Sequence, residues 1–236
     1  MDLLLNYNDK RFLYLLTVSL KKKGYAVLSN YDFDSFLIDA AYSSFYEFFS
    51  SNEKKYFQGD LTVPYGYFGL KKKGIKTSYE DFYFYKGMPK CPEYLSNILY
   101  TIVSKMEYLG FSIINHLIKE FFKNKQYQGN IVHDLKVLLR MIFYHGVNQN
   151  SSSTPINPEH TDKSFITILP AATCAGLEYY NGHWQEIYIG KQELLIMCGD
   201  KLANFTEGYF LPLKHRVITK SVNTINVRQS MAIFFG

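Results

Sequence analysis

The sequence has 236 residues, with 26 Lys or Arg against 21 Asp or Glu and a formal net charge of +5. Hydrophobic residues at 47% and charged residues at 20% fit an ordinary folded domain and exclude a disordered chain. No run is long and apolar enough to cross a bilayer, so no membrane role is expected. The positive charge gathers in two triplets, Lys21-Lys22-Lys23 and Lys71-Lys72-Lys73. Runs this short read as solvated lysines, so no specific nucleic-acid partner is expected.

Cys91, Cys174 and Cys198 have neither metal-ligand nor redox spacing and read as thiols of a reducing compartment. The stretch from Met1 to Leu20 is interrupted by Asn6, Asn8, Asp9, Lys10 and Arg11 and lacks the order of a signal peptide. A cytoplasmic location is the resulting expectation.

In chain order, Asp9 to Lys22 reads as a helix closed by Gly24, and Tyr25 to Leu28 as a short strand. Asp34 is placed to cap a second helix, whose Leu37, Ala41, Phe45, Phe48 and Phe49 share a face. A longer helix starts near Pro92, with Leu95, Leu99, Ile102, Met106 and Leu109 at helical spacing. A polar loop runs from Asn148 to Pro158, and around it the period changes to two. Lys136 to Tyr144, Ser164 to Leu169, Leu177 to Tyr180, Trp184 to Ile189, Glu193 to Met197, His215 to Thr219 and Val227 to Phe235 read as strands. Asn181-Gly182 predicts a two-residue type I′ hairpin. Many short strands with regular turns point to a sandwich or barrel, a group that includes jelly rolls.

His160 and Asp162 lie two apart, and in extended backbone residues i and i+2 point the same way. His215, at the start of a later strand, supplies a second imidazole. Two histidines and one carboxylate on one face of an octahedral ion leave the other face open, the signature of non-haem iron(II) oxygenases. A structural zinc site would be closed. Further along, Arg228 and Ser230 share a strand face. A guanidinium beside a hydroxyl suits the far carboxylate of a dicarboxylate whose other end reaches the metal.

These motifs carry a family resemblance. The sets His160-Thr161-Asp162, Gly176-Leu177-Glu178, Gly182-His183-Trp184, Gly199-Asp200, His215-Arg216-Val217 and Arg228-Gln229-Ser230 resemble, in order and spacing, the isopenicillin N synthase-like iron(II)/2-oxoglutarate-dependent dioxygenases. Gly24-Tyr25, Phe48-Phe49 and Lys54-Lys55 extend the likeness more loosely into the first half. The resemblance implies a mainly β fold with flanking helices around a double-stranded β-helix (jelly-roll) core. It implies one oxygenase domain over 1–236, with 1–135 mostly helical and 136–236 carrying the core. It further implies iron(II) on His160, Asp162 and His215, and 2-oxoglutarate on Arg228 and Ser230 with help from Tyr144. Dioxygen is the oxidant, ascorbate a supporting reductant and Phe234 a substrate-facing aromatic. The implied reaction decarboxylates 2-oxoglutarate to succinate while a C–H bond of a small molecule is oxidised, by hydroxylation, desaturation or cyclisation.

The sequence departs from the family pattern in two places. Ile142 stands where an asparagine is common, and His145 where a proline is usual. Both leave open an oxidase of the same fold that does not use 2-oxoglutarate. A third reading is a non-catalytic binding protein on this fold, and the intact triad argues against it. The sequence stops at Gly236, one residue past its last strand, where relatives often continue into a covering helix. A more open mouth, or a lid from elsewhere, is expected. His116, His133 and His183 have no ligand spacing and read as structural or exposed. His145, Asn204 and Tyr67 are pocket candidates that read equally well as ordinary loop or packing residues.

Overall fold

Alternation of inward and outward side chains through the second half of the chain builds two facing layers. The computed structural model describes residues 4–32, 34–59, 65–72, 75–76, 79–123, 131–145, 155–218 and 227–236. The first half opens with β1 (Leu4–Asn6), α1 (Phe12–Lys23), β2 (Tyr25–Ser29) and α2 (Ser35–Ser50). Next come β3 (Gly66–Phe68), the small hairpin β4 (Lys71–Lys72) with β5 (Ile75–Lys76), β6 (Tyr79–Phe84) and the long α3 (Glu93–Phe121). The second half supplies β7 (Val137–His145), β8 (Asn157–His160), β9 (Ile166–Pro170), β10 (Leu177–Tyr180) and β11 (Trp184–Glu186). It ends with β12 (Leu194–Cys198), α4 (Asp200–Phe205), β13 (His215–Val217) and β14 (Val227–Phe235).

Strands β7 to β14 form the expected jelly roll. One layer contains the order β12-β9-β14-β7, and the other is β11-β10-β13-β8. The first layer is widened on both sides, by β2 and β1 beyond β12 and by β6 and β3 beyond β7. The main sheet therefore takes four of its eight strands from residues before 136, a contribution that the reading of that half as mostly helical understates.

Each predicted helix forms for the anticipated reason. Gly24 closes α1 in the left-handed region at φ 76°, its N–H bonded to the Leu20 carbonyl. Asp34 caps α2 by accepting from the Phe36 N–H at 2.9 Å. Lys21, Lys22 and Lys23 occupy the last turn of α1, where cations meet the negative end of the helix dipole. Lys71 and Lys72 lie in the small hairpin, and Lys73 is outside the described residues.

Helices α2 and α3 lie across the outer face of the main sheet. Phe45, Phe48, Leu99, Ile102 and Met106 are fully buried there against Leu139, Met141, Met231 and Ile233. A second apolar cluster, including Tyr25, Ile142, Tyr144, Leu177 and Val217, fills the space between the two layers.

The turn after β10 departs from the expected form. Tyr180 pairs with Trp184, so three residues connect the strands instead of two. Gly182 alone takes positive φ, at 77°, and the Asn181 N–H bonds the His183 carbonyl at 3.0 Å. A type I′ turn would need Asn181 at positive φ as well. Most of the polar loop from Asn148, and Thr219 at the end of its predicted strand, lie outside the described residues.

Candidate metal centre and its cavity

His160 ends β8 and His215 begins β13, and the two are direct cross-strand partners. Their ring centroids are 4.3 Å apart. Asp162 lies just past β8, in a loop held by backbone bonds from the segment after β12. The Asp200 N–H bonds the Asp162 carbonyl at 2.7 Å and the Lys201 N–H the Ser164 carbonyl at 3.1 Å. Gly199 allows this approach, because a Cβ there would stand 2.2 Å from the Ser164 carbonyl oxygen. The Gly199-Asp200 motif thus shapes the loop that aims Asp162.

The three side chains converge. One donor atom from each of His160, Asp162 and His215 lies within 4.8 Å of the others. Oδ1 of Asp162 is 3.8 Å from Nε2 of His160 and 3.8 Å from Nε2 of His215. Each imidazole turns its other nitrogen to a carbonyl, His160 Nδ1 to Pro158 at 2.8 Å and His215 Nδ1 to Leu213 at 3.0 Å. A carbonyl only accepts, so Nδ1 carries the proton and Nε2 keeps its lone pair for a ligand. Burial, then the neighbouring His215, holds the His160 pKa below its ordinary 6.5, which favours the neutral form a metal needs. The remaining Asp162 oxygen, Oδ2, accepts from Thr167 Oγ1 at 2.5 Å, and Thr167 in turn contacts Ser164. Two imidazoles with Nδ1 held by carbonyls and a hydrogen-bonded carboxylate are a donor set that suits iron(II).

Arg228 and Tyr144 face each other across β14 and β7. The guanidinium carbon is 5.1 Å from the Tyr144 ring centre, and Nε donates to the Cys174 and Ala175 carbonyls at 3.1 and 3.3 Å. Among the described residues Nη1 is buried without a hydrogen-bond partner. A buried cation with an unused donor is costly unless an acceptor arrives. This orphan fits the carboxylate of a dicarboxylate co-substrate. Ser230 shares the inward face and hydrogen-bonds with Tyr144, whose phenol burial pushes up in pKa.

A cavity of about 850 Å³ opens beside the triad, with His160, Asp162, Phe234, Tyr83 and Arg140 on its wall. Phe234 is half-buried there, so it lines the cavity instead of filling the helix-side core. The other candidates sit elsewhere. His145 lies 3.4 Å from Glu80, Tyr67 packs on Phe48 and Phe49, and Asn204 lines a separate surface hollow with Lys136 and Phe205. His116 bonds Thr17 at 3.0 Å. No disulfide joins the cysteines, and Cys198 is buried.

The sequence reading missed Arg140 and Thr167. Arg140 is one of only four arginines and stands four residues before Tyr144, at an inward position of the same strand. That signal was available. Thr167 gives none, because a strand threonine is commonplace.

The family model described as the 2OG-Fe(II) oxygenase superfamily matches residues 136–236, the stretch that supplies all eight jelly-roll strands. The core of the chain is thus similar to that superfamily. Among curated proteins, the chain is 29% identical to gibberellin 2-beta-dioxygenase 7 of Arabidopsis thaliana over 60% of its own length and 41% of the relative's. It is 27% identical to mugineic-acid 3-dioxygenase of Hordeum vulgare over 63% of its length and 43% of the relative's. The chain therefore spans only about two fifths of these relatives. Among solved structures it resembles the dioxygenase for auxin oxidation 1 of Arabidopsis thaliana in its 2-oxoglutarate complex, with a TM-score of 0.83 at 19% identity, covering 99% of this chain and 92% of that one. It also resembles the dioxygenase for auxin oxidation of rice, with a TM-score of 0.81 at 17% identity, covering 99% and 82%. At such identities the structural likeness speaks for the jelly-roll fold.

Proposed function

We propose that the protein is an iron(II)- and 2-oxoglutarate-dependent oxygenase, forming one domain over the whole chain, that oxidises a C–H bond of a small molecule. The observation that carries this reading is the convergence of His160, Asp162 and His215 beside a cavity large enough for an organic substrate, with His160 and Asp162 on its wall. In this reading the three side chains hold iron(II), and Arg228 and Ser230 hold the far carboxylate of 2-oxoglutarate under Tyr144. Phe234 and its neighbours on the cavity wall face the substrate. When bound, iron(II) supplies open positions for dioxygen and for the oxo-acid end of the co-substrate. The protein's own part is to orient these ligands, turn Nε2 of both imidazoles to the site and bury the carboxylate end away from water.

Within the superfamily we assign the chain to the isopenicillin N synthase-like group, on the strength of the motifs from His160 to Ser230. A cytoplasmic location fits the unpaired cysteines. Among the described residues no helix is long and apolar enough to cross a membrane.

The test is conversion of 2-oxoglutarate to succinate by the purified protein in air, with iron(II) and ascorbate and no added substrate. Slow succinate formation that disappears on omission of iron supports the proposal. Binding of iron without any binding or turnover of 2-oxoglutarate favours the oxidase of the same fold, and binding of neither leaves a non-catalytic protein.

A further inference from the structure

Arg140 has a setting that the chemistry above does not use. It lies on the inner face of β7, opposite Tyr83 on β6 and Ala232 on β14. Its Nε and Nη2 donate to a single oxygen, Oδ2 of Asp81, at 3.2 and 2.6 Å. The pair is lopsided, because a guanidinium fork usually spreads over both carboxylate oxygens, and the guanidinium also hydrogen-bonds Tyr83 on the cavity wall. The pair is also asymmetric toward the cavity. The Arg140 side chain is 13% exposed and on the cavity wall, whereas that of Asp81 is 2% exposed and behind it. The rings of Tyr79 and Tyr83 stand 5.2 and 5.3 Å from the guanidinium carbon. A guanidinium held this way is charged and already oriented, so little conformational entropy is lost when a ligand docks on it.

Most of the other cations on the wall are already paired. Lys86 is paired with Glu107, and Lys163 with Asp200 at 2.6 Å. Lys136, at the rim, has no ion-pair partner among the described residues. Arg228 is four residues from the position opposite Arg140, roughly 13 Å along the strand at ~3.3 Å per residue, and is not part of this wall. The two arginines therefore address different ligands.

We propose that Arg140 is a substrate-recognition residue and that the substrate carries a carboxylate, which docks on its cavity-facing side beside the metal. This inference rests on the oxygenase reading above and names the class of molecule that the site takes.

The experiment uses the full chain loaded with iron(II) and 2-oxoglutarate in the absence of oxygen. Phenylacetate, 3-phenylpropionate and 2-naphthoate are titrated against their own amides, with binding read from the metal's visible absorption and by calorimetry. A charge-assisted hydrogen bond is worth ~1.5–3 kcal/mol, or about 10- to 100-fold, so at least one acid is expected to bind tenfold or more tightly than its amide. Arg140→Met alone would leave Asp81 buried without a counter-charge. The paired variant Arg140→Met/Asp81→Asn is therefore used, and in it the preference should fall below twofold. No acid binding better than its amide overturns the inference, and so does a preference that survives in the paired variant. Failure of the native protein to take up iron and 2-oxoglutarate is a different result. It removes the oxygenase reading on which this inference stands.

Discussion

Arg228 faces Tyr144 directly across the β7–β14 pair, its guanidinium carbon 5.1 Å from the ring centre, with Nη1 buried and without a partner among the described residues. A buried donor of this kind is costly unless an acceptor reaches it. Arg228→Gln is therefore expected to weaken 2-oxoglutarate binding about 10- to 100-fold, the worth of a charged hydrogen bond of ~1.5–3 kcal/mol. Iron affinity should stay near that of the native protein. Calorimetry on anaerobic iron-loaded protein measures both, and an unaltered co-substrate affinity would contradict the assignment.

Thr167 holds the Asp162 oxygen that faces away from the imidazoles. Partners of this kind typically contribute about 10- to 100-fold to metal affinity. Thr167→Val should lower iron(II) affinity by about that factor, while His215→Ala should abolish specific binding. Metal titration followed by dialysis compares the two. If Thr167→Val binds iron as tightly as the native chain, the carboxylate does not need this support.

Protonation sets a pH dependence. Burial lowers the pKa of both His116 and His160 from the ordinary 6.5. Above 6.5 both are neutral whether the chain is folded or not. As pH falls through 6.5 the unfolded chain takes up protons that the folded one resists, so stability falls with pH until the lowered folded pKa values are passed. The apoprotein should melt at lower temperature at about pH 5.5 than at about pH 7.5, and His116→Gln should reduce the difference. Identical melting curves at the two pH values would refute the argument.

Packing at Gly110 offers a test away from the site. A Cβ there would stand 2.1 Å from the ring of Phe235, which is fully buried against α3. Intrinsic propensity favours alanine in a helix by about 1 kcal/mol, yet overpacking costs typically ~1–3 kcal/mol. Gly110→Ala should therefore destabilise the protein, and Phe235→Leu introduced with it should recover part of the loss. Stabilisation by Gly110→Ala alone, in chemical denaturation, would show that the ring moves aside freely.

Much of this architecture was legible in one dimension. Local chemistry at Gly24 and Asp34 determined two helix ends, because a left-handed residue and a capping carboxylate act within a few positions. Alternation placed Arg228 and Ser230 on one face, and β14 spans Val227–Phe235 as the sequence predicts. The motif resemblance pointed to His160, Asp162 and His215, whose donor atoms lie within 4.8 Å of one another.

Tertiary structure decided the rest, because each remaining feature depends on partners far away in the chain. The short strands β1, β2, β3 and β6 gain their hydrogen bonds only by adding to a sheet whose centre comes from the second half. Register across β6 and β7 puts Asp81, Tyr79 and Tyr83 around Arg140, and nothing local to residue 140 announces that company. Phe234 and Phe235 are chemically identical neighbours, yet one lines the cavity and the other seals α3. The pleat sends adjacent residues to opposite faces, and only the packed layers determine which face is the site.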